Sequence, residues 1–207
     1  MNVILLGPPG AGKGTMAERV RDTFKLAHIS TGDLLRAEIK SGSELGKLAA
    51  EYIDKGALVP DDVIISMIQK RMQQDDAQNG VLLDGFPRTL EQAKALDNEL
   101  EIHSVVVLDA KLELIKSRIL SRRVCPECAQ VFNIKYYDSE NCTCGAKLVT
   151  RKDDNEETIA KRFNVYLEST EPLVGFYNEK GIVFTVDASQ SIEAEVEQIE
   201  NELKKYQ

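Results

Sequence analysis

A chain of 207 residues is long enough for one well-buried core plus a small insertion. Its 34 acidic residues outnumber 26 basic ones, for a net charge of −8, which argues against a general nucleic-acid binder dependent on basic surface. Hydrophobic residues at 43% describe a globular chain, and no apolar run approaches the roughly 20 residues that span a bilayer.

The amino terminus has no basic leader region or cleavage site, so a cytoplasmic location is expected. Val3–Leu6 reads as a short buried strand, and Gly7-Pro-Pro-Gly-Ala-Gly-Lys13-Gly-Thr15 follows it at once. A strand, a glycine-rich turn and a helical pattern over Gly14–Phe24 make a cradle for polyphosphate. Backbone N–H groups point inward, the helix start adds its positive dipole end, and Lys13 supplies a point charge. Gly14 stands where many phosphate loops carry a hydroxyl, which arrives one place later at Thr15. That departure favours a nucleoside-phosphate kinase over a GTPase or motor ATPase.

Four further apolar runs read as strands: Ala27–Ser30, Val81–Asp84, Ser104–Asp109 and Ile182–Val186. They are continuous, as in parallel strands covered on both faces. Helical patterns span Asp33–Lys40, Glu44–Lys55, Asp61–Gln74, Leu90–Asn98, Leu112–Arg122, Glu156–Glu168 and Ile192–Lys205. This alternation predicts an α/β fold, a doubly wound five-stranded parallel sheet of the P-loop NTPase type, with ligand beyond the carboxyl ends of the strands. Two stretches break it, Ser30–Val59 and Ser121–Asp154, and both read as inserted lobes. The expected core is 1–29, 60–120 and 155–207.

Two more strand ends carry chemistry. Asp84-Gly-Phe-Pro-Arg88 puts a carboxylate where it can hold magnesium through water and an arginine fork where it can meet phosphate, although a βα turn capped by Asp84 would look alike. Ser30-Thr-Gly-Asp33 with Arg36 is similar in form, and is also compatible with a helix cap and a surface arginine. Arg118 and Arg122, four apart, share one side of a helix, leaving Arg123 as the surface residue. Cys125-Pro-Glu-Cys128 and Cys142-Thr-Cys144-Gly145 hold all four cysteines, a pattern that reads as structural zinc rather than disulfides in a reducing compartment. Tyr136 and Tyr137 are expected to anchor a small apolar cluster beside them.

Taken together, these motifs resemble the adenylate kinases of the long, bacterial type, in order and along nearly the whole chain: Gly7–Thr15, Ile29–Asp33 with Arg36, Asp84–Arg88, Arg122-Arg123, and Arg151–Glu157 with Arg162. The resemblance implies reversible, magnesium-dependent transfer of a phosphoryl group, ATP + AMP giving two ADP. It implies ATP phosphates on Gly10, Ala11, Gly12, Lys13, Gly14 and Thr15, with the ATP nucleoside near Val131, Phe132 and Gln190. It implies AMP held by Thr31, Arg36, the Ala57-Leu58-Val59 backbone, Gly85, Phe86, Pro87, Arg88 and Gln92. Arg118, Arg122, Arg151 and Arg162 would converge on the moving phosphoryl group, with Asp84 on magnesium. Ser30–Val59 becomes a monophosphate-binding lobe and Ser121–Asp154 a zinc lid.

Family members with such a lid usually space the second pair of ligands Cys-x2-Cys or Cys-x2-Asp. Here the spacing is Cys-x-Cys, so Cys142 is the ligand for which Asp138 or a water could substitute. Two other readings stay open: a kinase for UMP, CMP or GMP, and a zinc-ribbon nucleic-acid-binding protein with a nucleotide switch. A monomer, without membrane or nucleic-acid partners, is expected.

Overall fold

The computed structural model describes residues 1–207. Five parallel strands form the central sheet: β1 (Val3–Leu6), β2 (Ala27–Ser30), β3 (Val81–Asp84), β4 (Ser104–Asp109) and β7 (Val183–Asp187), in the order β2-β3-β1-β4-β7. A small antiparallel pair, β5 (Arg122–Val124) and β6 (Val131–Asn133), lies apart from it. The helices are α1 (Lys13–Phe24), α2 (Thr31–Ser41), α3 (Glu44–Ile53), α4 (Asp61–Met72), α5 (Leu90–Asp97), α6 (Leu112–Leu120), α7 (Glu156–Val165), α8 (Pro172–Asn178) and α9 (Ile192–Leu203).

The apolar strands are continuous because both faces are covered, and the side-chain period of two divides them between two cores. Ile4, Leu6, Ile29, Leu83, Val105 and Val107 join one cluster with residues of α4, α5 and α8. Val3, Leu5, Leu82, Val106, Leu108 and Val186 join the other with α1, α6 and α9. Every strand therefore delivers its carboxyl end to the same edge of the sheet, where the loops bearing the chemistry begin.

Helix starts follow capping chemistry. Ser30, Ser43, Thr89, Asn155 and Ser191 each accept a hydrogen bond from the N–H three residues on. The first of these begins α2 at Thr31, two residues before the predicted Asp33. β7 is shifted one residue from the predicted Ile182–Val186. Helices predicted to Lys55, Gln74 and Arg122 end earlier, at Ile53, Met72 and Leu120, and Arg122 belongs to β5 instead.

The largest difference lies after α7. Periodicity predicts a helix to Glu168 and no further helix before the last strand. The backbone instead widens into a π segment, Tyr166–Thr170, and continues as α8. Pro172 has no N–H to return to Glu168, and Glu171 N–H reaches back five residues to Tyr166 O at 2.9 Å. The proline is absorbed by the widened turn rather than ending the helix.

Helices α2 and α3 pack at a position where only glycine fits. A Cβ on Gly46 would collide with the backbone carbonyl of Glu38. Gly46→Ala is expected to pry the two helices apart and cost about 1–3 kcal/mol, read as a lower urea midpoint. Alanine is the better helix former, so propensity alone predicts the opposite sign.

Candidate active site

The phosphate loop carries a row of free donors. The N–H groups of Gly12, Lys13, Gly14 and Thr15 take no backbone acceptor, and no side chain caps α1. Gly10 and Gly12 hold φ of 84° and 110°, the left-handed region that lets the loop turn inward. Lys13 Nζ folds back onto the loop, donating to Gly7 O at 2.7 Å and Pro8 O at 2.9 Å. These contacts suit a lysine waiting for an anion.

Arg88, Arg122 and Arg162 stand close enough to Lys13 to perturb it, and Arg36 and Arg151 join the cluster through these arginines. Burial holds Lys13 down at about 8; Asp84 opposes this, and Arg88, Arg162 and Arg122 add to it. Burial likewise brings Arg88 down to about 10, with Arg162 and Arg36 adding repulsion. Arg151 falls to about 9 through burial and then Arg36 and Arg122. Arg162 is lowered by burial, against the pull of Asp153.

Counterions are few and come from one segment. Asp154, fully buried, takes Arg122 through both oxygens, and Asp153 Oδ2 takes Arg162 Nη1 at 2.7 Å. Arg151 Nε is buried without a partner. Arg36 rests on Asp33 at 2.5 Å. Arg88 is braced through Nε to Gly85 O at 2.7 Å, through its N–H to Gln92 Oε1 at 2.7 Å, and through its carbonyl to Thr170 Oγ1 at 2.9 Å.

The structure thus brings together Lys13, Asp84, Arg36, Arg88, Arg122, Arg151 and Arg162. Arg118 stands apart: it lies against the phosphate loop, donating to Ala11 O at 2.6 Å and Ala188 O at 2.8 Å. Thr31 Oγ1 is buried without a partner near the start of α2, an orphaned polar atom that suits a ligand. Val59 is buried behind it, with Ala57 and Leu58 more open. Gln92 is buried, and its amide is largely committed: Nε2 donates to Asp61 Oδ1 at 2.7 Å while Oε1 takes Arg88 N–H. One amide hydrogen remains for a base. Gly85 adopts φ of 74°, and a Cβ there would meet Arg88 Nη2 at 2.7 Å, so glycine lets that fork lie flat over the turn. Phe86 is buried beneath it, ahead of Pro87.

Asp84 sits at the end of β3 with a side chain 13% exposed, 3.6 Å from His28 Nε2 and close enough to Lys13 and Arg88 to act on their charges. A single carboxylate beside a phosphate cradle and Thr15 is a donor set that suits Mg²⁺, which keeps most of its waters.

Four sulfurs converge in the cysteine-bearing segment. The Sγ atoms of Cys125, Cys128, Cys142 and Cys144 all lie within 4.8 Å of one another, with Cys125–Cys144 and Cys128–Cys142 at 3.5 Å. Tetrahedral thiolates about 2.3 Å from zinc stand about 3.8 Å apart, so the cluster is compatible with that ion. Cys142 is a full member despite its short spacing, and Asp138 is not in the group. Gly145 makes the spacing workable: at φ 92° it turns the chain so that its N–H meets Cys142 O and Ala146 O meets Cys142 N–H, both at 2.8 Å. The N–H of Cys128 leads in pulling the Cys125 thiol down to about 6. Phe132 and Tyr137 pack beside the cluster, ring centroids 4.4 Å apart. Tyr136, expected to join them, is 88% exposed instead.

Val131 and Phe132 lie on β6, and Gln190 follows β7 on the surface, its amide on Asp187 O and Gln198. The two inserted segments touch: Lys40 Nζ at the end of α2 donates to Pro126 O at 3.0 Å, inside the first cysteine turn.

The family profile described as adenylate kinase matches residues 5–182. The chain belongs to the adenylate kinase family. An adenylate kinase of Desulforamulus reducens is 46% identical over 203 residues, covering 94% of this chain and 95% of its own. One from Archaeoglobus fulgidus is 46% identical over 214 residues, 99% of each, and one from Kosmotoga olearia is 44% identical over 208, 96% and 97%. No helix of this adenylate kinase family member is long and apolar enough to cross a membrane.

Further residues brace the site: Asp153 and Asp154, inside the Arg151–Glu157 motif but given no role there, as counterions, Asp61 as the brace for Gln92 and Thr89, and His28 beside Asp84. Asp153 and Asp154 follow Arg151 after a single lysine, and a carboxylate pair so near an arginine was the available signal.

The crowding of cations predicts a cost in the nucleotide-free state. Lys13 titrates near 8 when folded against an ordinary 10.5, so the unfolded chain binds the extra proton between those values. Stability of the wild type therefore rises with pH through that window, and the strain is greatest below 8. Lys13→Met is expected to raise the urea midpoint at pH 7, with its advantage shrinking by pH 10.

Proposed function

We propose that this chain transfers the terminal phosphoryl group of ATP to AMP, reversibly, giving two ADP. The gathering of Lys13, Arg88, Arg122, Arg151 and Arg162 beside the free amides of the phosphate loop carries this reading. The acceptor, a monophosphate, is already an anionic nucleophile, so no general base is required. Catalysis then rests on alignment and on neutralising charge on the oxygens in transit. Arginine forks stay charged and present planar, paired donors that match two phosphate oxygens, where a lysine acts as a compact point charge.

In this reading ATP phosphates lie on Gly10–Thr15, with the nucleoside against Val131-Phe132 and Gln190. AMP lies between Thr31, Arg36, Ala57–Val59 and Gly85–Arg88, with the free Gln92 N–H toward the base. Asp84 and Thr15 would hold magnesium, which when bound neutralises charge on the bridging phosphates. Segments 30–59 and 121–154 are the monophosphate lobe and the lid, and the Lys40–Pro126 contact joins them over the nucleotides and excludes water. All these parts come from one chain, which supports a monomer.

A coupled assay with ATP, magnesium and a panel of AMP, GMP, CMP and UMP tests the reading, AMP being expected to turn over fastest. A preference for UMP or CMP would assign the lobe to a different base. Arg88→Ala is expected to slow transfer about 30- to 1,000-fold, the equivalent of about 2–4 kcal/mol at a preorganised electrostatic contact.

The cysteine cluster is proposed to hold one structural zinc. With four protein thiolates no coordination position is left for substrate, and a lid of this size cannot bury a sufficient core of its own. Metal analysis should return one zinc per chain. Chelation should lower the lid's melting transition while protein that remains folded keeps its phosphoryl transfer. One stoichiometric iron, or no metal after expression in zinc, contradicts the assignment.

A further inference from the structure

Beside the phosphate loop lies an ion pair that stands apart from the cluster of Lys13 and the other arginines. Glu195, in the first turn of α9, is 1% exposed, and its Oε1 has no hydrogen-bond partner. It stands 3.7 Å from Arg118 Nη2. Burial pushes this carboxyl up, Arg118 pulls it back, and Asp187 adds to the rise. A buried acid in such a place is a poor device for stability, since an apolar side chain of similar size is often neutral or better.

Its partner has a defined geometric role. Arg118 reaches from α6 to the Ala11 carbonyl in the phosphate loop and the Ala188 carbonyl after β7. In a planar trans peptide the C=O and the following N–H point opposite ways. Holding Ala11 O toward Arg118 therefore turns the Gly12 N–H away from it and leaves that donor free. Ala188 leads within two residues to Gln190. One guanidinium thus sets the separation between the loop that cradles phosphate and the loop beside the nucleoside. Arg118 is also 26% exposed, so a bound polyphosphate competes for it. A fixed negative charge behind it resists that pull.

We propose that Glu195 is a positioning residue for ATP, keeping Arg118 on the Ala11 and Ala188 carbonyls while nucleotide binds. The proposal rests on the phosphate loop being the ATP site, as read above.

Steady-state kinetics and thermal melts on full-length Glu195→Gln and Glu195→Leu test it. Glu195→Leu should melt at the wild-type temperature or above. Both variants should raise KM for ATP about three- to tenfold, the usual scale of coupling between touching residues, with KM for AMP within about twofold of wild type. Stability and ATP affinity moving in opposite directions is a result that a merely structural pair does not give. Should Glu195→Leu fail to fold, the nearly isosteric Glu195→Gln carries the same kinetic test. Unchanged KM for ATP in the folded variants overturns the proposal, as does a parallel rise in both KM values. Lys13→Met reports separately on the site itself: if it leaves ATP turnover intact, the reading of the phosphate loop fails, whatever the Glu195 variants do.

Discussion

Repulsion among Lys13, Arg36, Arg88, Arg122, Arg151 and Arg162 is the constraint on which the rest of this structure depends. At an effective dielectric constant of about 20, like charges 4 Å apart repel by about 4 kcal/mol, and several such pairs exceed what a domain of this size can spare. The protein offsets part of this with Asp33, Asp84, Asp153 and Asp154. It leaves the remainder open, with Arg151 Nε unpartnered and Lys13 held down at about 8 by burial first and then by the neighbouring arginines. The deficit is what two nucleotides fill. Their phosphates bring the missing negative charge, so substrate binding relieves a strain that folding created.

The sources of these cations explain the architecture. Lys13, Arg36 and Arg88 follow strands β1, β2 and β3, whose parallel alignment brings their carboxyl ends to one edge. Arg122 and Arg151 instead flank the cysteine-bearing segment, and Arg162 lies beyond it on α7. Cations therefore stand at both ends of that segment, so its placement bears directly on the charge cluster. Asp154, fully buried on Arg122, ties the two ends of that insertion together at its base.

How far the sequence revealed this follows from the range of each interaction. The phosphate loop and the Asp84–Arg88 turn are local, each written in fewer than ten consecutive residues, and each is where it was expected, while the equally local Ser30 cap starts α2 two residues earlier than predicted. The continuous strands likewise announced a sheet buried on both faces. What stayed hidden depends on side chains meeting across long separations. The approach of Glu195 to Arg118, of Asp61 to Gln92, and of the α2 backbone to Gly46 has no local signature. The Pro172 region misled for a related reason: proline ordinarily stops a helix, and only the five-residue return from Glu171 to Tyr166 lets this one continue. Cys142 shows the opposite case, in which a short spacing looked unfavourable until Gly145 supplied the turn that corrects it.

The cysteine turn also shapes how the two inserted segments meet. Lys40 donates to the carbonyl of Pro126, a backbone atom between Cys125 and Cys128, with Glu127 3.9 Å away. A side-chain acceptor at this exposed position would be mobile and screened, worth little as a contact. A carbonyl inside a turn pinned at both ends by converging sulfurs is preorganised, so less entropy is lost when Lys40 reaches it. The cysteine cluster thereby does more than compensate for a small core. It presents a fixed atom for the opposing segment to meet.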